Sequence, residues 1–104
     1  MIKPPSVIGT YNSSMKALLA DCYSEFNTIG ENSCSAQIAL CSEDGETIYE
    51  TLIAESSENH NGLGYIYSGI FRKVDPGTKY IKARYMIGDT PASNWSAVEK
   101  IVCD

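Results

Sequence analysis

Catalysis, metal binding and redox chemistry each need particular side chains within reach of one another, and such groups are sparse in this chain. His60 is the single histidine among 104 residues. It sits between Asn59 and Asn61, where a solvated imidazole is the plain reading. The four cysteines, Cys22, Cys34, Cys41 and Cys103, are even in number. None forms a Cys-x-x-Cys pair and none has a histidine beside it, so zinc is not indicated. A nucleophile needs a base within hydrogen-bond reach, and His60, Cys34 and scattered serines do not compose a triad. Glu43, Asp44 and Glu46 surround an Asp-Gly pair, while Glu55 and Glu58 flank a longer polar stretch. These acids offer oxygen ligands to a structural cation, but the ligand ladder of an EF-hand is absent. A charged turn that keeps a sheet soluble accounts for the first group. The chain is expected to be no enzyme and to hold neither cofactor nor metal.

The aromatic residues are more informative. Seven tyrosines accompany one tryptophan and two phenylalanines. Tyr and Trp supply rigid, amphipathic contact area, which is why binding surfaces use them. Tyr49, Tyr65, Tyr67 and Tyr85 are candidates for an exposed row that would stack on sugar rings or dock a partner protein. The alternative is cross-strand pairing of the same rings within a sheet.

Strands must position these groups. A hydrophobic content of 43% with 20% charged residues is that of an ordinary globular chain. Residues 1–104 read as one domain, with 1–5 as an extended lead-in because Pro4-Pro5 disfavours helix. A net charge of −5 repels phosphate backbones, so nucleic acid is not an expected partner. No apolar run is long enough to insert across a bilayer, and the N-terminus lacks the apolar stretch of a signal peptide. Either the protein stays in the cell that makes it or a leader or larger parent has been cut away; synthesis in the cytoplasm with reduced thiols is the default expectation.

Ser6–Thr10 reads as a short edge strand and Asn12-Ser13-Ser14 as a turn. Met-Lys-Ala-Leu-Leu-Ala favours helix intrinsically, but the short, uncapped run Met15–Tyr23 alternates Leu18, Ala20 and Cys22 and is expected as a strand. Ser24–Ser33 reads as a loop and Ser35–Ser42 as a strand. Asp44-Gly45 is a hairpin signal, and Glu46–Ala54 reads as the return strand. After the polar stretch Glu55–Gly64, strands are expected over Tyr65–Val74, in the run after Gly77, and over Asn94–Cys103. Asp89–Ser93 reads as a loop. Seven short strands separated by turns indicate an all-β fold, a seven-stranded antiparallel β-sandwich or a small barrel.

Val74-Asp75-Pro76-Gly77-Thr78-Lys79-Tyr80 is a turn followed by the most strand-like run in the chain. It resembles the turn before strand F of a fibronectin type III domain. That resemblance implies an immunoglobulin-like sandwich whose corner is built by Pro76, Gly77 and Tyr80, with the tyrosine bonding back to the turn. Ser93-Asn94-Trp95-Ser96 is similar to half of the Trp-Ser motif of cytokine-receptor domains, which implies that Arg84 stacks on Trp95. The type III layout also implies that Cys22 and Cys34 lie at one end on opposing sheets, the pair to bond if any disulfide forms. Cys41 and Cys103 would be separated by strand F, beyond disulfide reach. The tryptophan usual on strand B is absent. Ile81, Ala83 and Tyr85 have the phase opposite to Tyr80. A one-residue bulge after Tyr80 would restore the family's pattern; without it the chain fits the broader immunoglobulin-like sandwich. The Asp89 loop has no Arg-Gly-Asp, so integrin binding is not implied.

Such sandwiches serve as structural and adhesion modules, and the expected function is recognition of a protein or surface partner, on a phage virion or a cell surface. The alternative is a carbohydrate-binding module that uses exposed aromatics on a surface glycan. Asn12-Ser13-Ser14 and Asn94-Trp95-Ser96 match the N-glycosylation pattern, which matters in a secretory pathway. A free edge strand would also offer pairing to a second copy.

Overall fold

The computed structural model describes residues 3–24, 28–29, 32–33, 35–54 and 65–104. The strands are β1 (Ser6–Asn12), β2 (Ala17–Ser24), β3 (Thr28–Ile29), β4 (Asn32–Ser33), β5 (Ser35–Cys41), β6 (Ile48–Ala54), β7 (Tyr65–Phe71), β8 (Gly77–Ile87), β9 (Thr90–Pro91) and β10 (Glu99–Cys103). There is no helix among the described residues, and so none long and apolar enough to cross a membrane. One antiparallel sheet has the order β1-β2-β7. The other has the order β10-β8-β5-β6, with β9 also on β8, and β3-β4 form a separate short ribbon. The two sheets thus hold three and five strands rather than seven in all. The additional strand arises because β9, in the Asp89–Ser93 stretch expected to be a loop, pairs back onto β8 as Met86–Pro91 and Ile87–Thr90.

Period-2 alternation decides β2 against its helical propensity. Leu18, Ala20 and Cys22 are fully buried and line one face, and no helix could bury residues two apart together. The core draws on both sheets: Val7, Leu18, Ala20, Cys22, Tyr67 and Phe71 from one, Ala36, Ile38, Ala54, Ile81, Ala83, Tyr85, Ile101 and Cys103 from the other. Each large side chain among them contributes about 1.5–3 kcal/mol by burial.

The Asp-Gly pair does lie between β5 and β6, but the connection spans residues 42–47 rather than the expected 43–45. Asp44 accepts from the Ser42 hydroxyl at 2.7 Å and the Glu46 amide at 2.9 Å. These bonds hold its carboxyl below the usual carboxylate range, the Ser42 bond foremost. Gly45 closes the turn at φ 76°, a left-handed conformation that suits glycine.

Candidate functional site

β8 has continuous register with β5 from Tyr80 to Met86 and with β10 from Gly77 to Ile81. No bulge follows Tyr80, so the strand alternates without interruption. Ile81, Ala83 and Tyr85 enter the core, and Tyr80, Lys82 and Arg84 take the outer face. This corrects the corner. The Tyr80 hydroxyl does not return to the Pro76-Gly77 turn but lies 3.4 Å from the Glu43 carboxylate. Burial and that carboxylate raise its pKa. Gly77 does carry a positive φ, 141°. The turn is tied down from β1 and the β1–β2 connection: the Tyr11 hydroxyl donates to the Val74 carbonyl at 2.6 Å, and the Val74 amide donates to the Lys16 carbonyl at 2.9 Å.

Tyr67 and Tyr85, expected in an exposed row, are buried. Their rings meet edge to face across the core at 6.2 Å between centroids and 71° between planes. The strand periodicity leaves both on inner faces, so they form no part of an exposed row. Tyr49 is exposed, and the Tyr65 side chain lies outside the described set. Tyr49 borders an open cleft of about 480 Å³ lined also by Cys41, Glu43, Thr78, Lys79 and Tyr80.

Arg84 and Trp95 do come together. The guanidinium lies 4.2 Å from the ring centroid, and the Lys82 ammonium lies 4.6 Å from it. Arg84 also donates Nε–H to Gln37 Oε1 at 2.8 Å, directly opposite on β5. Lys82 is nearly buried and donates to the Gly45 carbonyl at 2.9 Å. The ring is held because residues 92–96 run along the edge of β8 without forming a regular strand. The Ser93 and Ser96 hydroxyls accept the Tyr85 and Ala83 amides, each at 3.0 Å. The Ala92 and Ser96 amides donate to the Tyr85 and Ala83 carbonyls at 2.9 and 2.7 Å. Serine side chains thereby replace missing ladder acceptors. Ser93 is buried, so Ser93→Ala strands an amide and should lower stability by about 1–3 kcal/mol. The check is a lowered denaturation midpoint at unchanged m value.

Cys22 carries a free, buried thiol, and Cys34 lies outside the described residues. The expected Cys22–Cys34 pair thus lies outside the described residues; Cys22 itself sits on the inner face of β2, among core side chains. Cys41 and Cys103 are also free and buried, on strands either side of β8. Burial pushes the Cys22 thiol up to about 12, with the Asp21 charge adding to the effect. Burial likewise raises Cys41 and Cys103. Buried neutral thiols are inert nucleophiles, so these three should resist alkylation in the folded chain and react once it is denatured. An unfolded thiol ionises near 8.5 and the folded Cys22 near 12. The stabilising contribution is intact below the first value and is lost as pH rises toward the second. Stability should fall between them by up to about 1.4 kcal/mol per pH unit. Denaturation at successive pH values, with Cys22→Ala as control, measures that slope.

The feature that sequence reading missed is the outer face of β1-β2-β7. Ile8, Leu19, Tyr23 and Ile70 are exposed there, with Ile66 half-buried beside them. At its centre Ser68 donates to Asp21 at 2.6 Å. Part of the signal was present: the outer phases of β2 and β7 carry Leu19, Tyr23, Ile66 and Ile70 around Asp21 and Ser68. Among the described residues no three His, Cys, Asp or Glu side chains are grouped to hold a metal ion. No protein-family model, curated protein or solved structure matches the chain.

Proposed function

We propose that the chain is a non-enzymatic structural or adhesion module with a fibronectin type III-like sandwich, and that it recognises a protein partner. The carrying observation is the outer face of β1-β2-β7, where Tyr23 is 44% and Ile70 45% exposed next to Ile8, Leu19 and Ile66. Exposed apolar surface interspersed with polar groups marks interaction sites. Here Leu19–Ile70 and Tyr23–Ile66 flank the central Asp21–Ser68 pair, with Ser6, Thr10 and Asn12 on β1 beside them. The strand order supports the scaffold reading. Taken in sequence, the seven longer strands fall as first-second-fifth on one sheet and seventh-sixth-third-fourth on the other, the arrangement that the resemblance implies. The Arg84–Trp95 stack supports it too. A setting on a phage virion or cell surface belongs to the same proposal.

The sugar-binding reading needs a coplanar aromatic row. With Tyr67 and Tyr85 in the core, the exposed rings among the described residues, Tyr23 and Tyr49, stand on different sheets, so a protein partner is preferred. The test isolates the chain from its source with whatever it associates with, alongside a Tyr23→Ser/Ile70→Ser variant. The proposal expects the variant to leave the complex while its melting temperature stays within about 4 °C of the parent. Retention of the variant in the complex would overturn it.

A further inference from the structure

We propose that β6 pairs antiparallel with β6 of a second copy of this chain, about a two-fold axis at Thr51. β6 ends its sheet, with β5 as its neighbour on one side and no strand among the described residues on the other. It exposes Ile48 at 43%, Tyr49 at 67% and Ile53 at 52%, three large apolar side chains on one seven-residue strand. Residues 48–54 contain no lysine or proline, two of the usual guards of an edge, although the register with β5 shifts at Tyr49, which forms a bulge near the start of the strand. The strand is also held in place from within. Leu52 packs so closely over Gly69 of β7 that a Cβ there would lie 2.3 Å from its Cδ1.

The occupant follows from self-complementarity. With Thr51 opposite its own copy, Glu50 faces Leu52 on either side of the axis, and Ile53 meets the bulge that carries Tyr49. Aromatic against β-branched and Thr against Thr are favourable cross-strand pairs, and no carboxylate stands directly opposite another. Slipping by two residues in one direction sets Glu50 against itself. Slipping in the other carries Tyr49 past the end of the strand. Pairing of like with like uses up both free edges and closes at two copies. The opposite end of the same sheet, β10, is packed beside β1, so this contact does not propagate. Each copy carries a net charge of −5, so association should strengthen as salt screens the repulsion.

Sedimentation equilibrium of the whole chain over roughly micromolar to millimolar concentration, at low and at high salt, tests this. The expected result is a monomer–dimer equilibrium that tightens with salt. Thr51→Lys should weaken it at least about tenfold, with melting of the dilute monomer unchanged. Directly paired Cα atoms in antiparallel strands lie about 4.5–5.5 Å apart, within disulfide range. Thr51→Cys, oxidised at high concentration, should therefore give a covalent dimer linked through position 51 by peptide mapping. A monomer at every concentration would overturn the proposal. So would a dimer that Thr51→Lys leaves intact and that shows no link at position 51. The outer face of β1-β2-β7 takes no part, so this result is independent of the partner-binding test.

Discussion

Replacing Tyr67 with alanine should cost about 3–5 kcal/mol, a large share of the roughly 5–15 kcal/mol that a domain of this size holds. The ring is fully buried. Its removal leaves a cavity between the sheets and deletes the edge-to-face contact with Tyr85, itself worth about 0.5–1.5 kcal/mol beyond burial. Denaturant unfolding of purified protein measures the loss. The same experiment separates the two readings of the tyrosines. A ring in an exposed binding row would cost within about 0.5 kcal/mol on removal, so a loss that small would place Tyr67 on the surface and undo the core described here.

Trp95→Ala should be the second large loss, about 2–3 kcal/mol. The ring is half-buried, so the full value for a core tryptophan does not apply. Its removal nevertheless uncovers the Lys82 and Arg84 side chains and abolishes two cation–π contacts, each worth about 0.5–2 kcal/mol. Trp95→Phe should recover part of the loss, because a smaller aromatic face still meets both cations. If alanine and phenylalanine behaved alike, the stack would carry no energy and residues 92–96 would be held to β8 by their backbone and serine hydrogen bonds alone. The predicted structural signature of Trp95→Ala is faster amide exchange at Ala83 and Tyr85, whose N–H groups depend on that segment.

How much of this was legible in the sequence depended on how local each feature is. β8 announced itself through Pro76-Gly77 and the apolar run behind it. The conflict of phase between Tyr80 and Ile81 was visible too, and the structure resolves it in favour of the apolar series, because the register continues unbroken. The Arg84–Trp95 stack was legible because a short motif carries it. Lys82 was not, since its partner carbonyl at Gly45 is 37 residues away and no pattern in β8 points to it. The Tyr11–Val74 bond spans 63 residues and was equally hidden, so the corner was assigned to the nearer tyrosine. In β7, Tyr67 and Phe71 alternate with Ile66 and Ile70. Both series are apolar, so periodicity established a strand without saying which face looks inward. That ambiguity leaves Tyr67 open between an exposed row and pairing within the sheet, and it also conceals the outer face that carries the functional proposal.

The most direct test of that proposal is a photo-crosslinking residue placed at Tyr23, with Asn94 substituted in the same way as control, in the cells or particles that produce the chain. Tyr23 lies on the outer face of β2 and Asn94 beside β8 on the other sheet. Recognition of a protein through β1-β2-β7 predicts a discrete protein adduct from position 23 and none from position 94. An adduct from position 94 with none from position 23 would contradict the account and move the interaction surface to the sheet that carries Trp95.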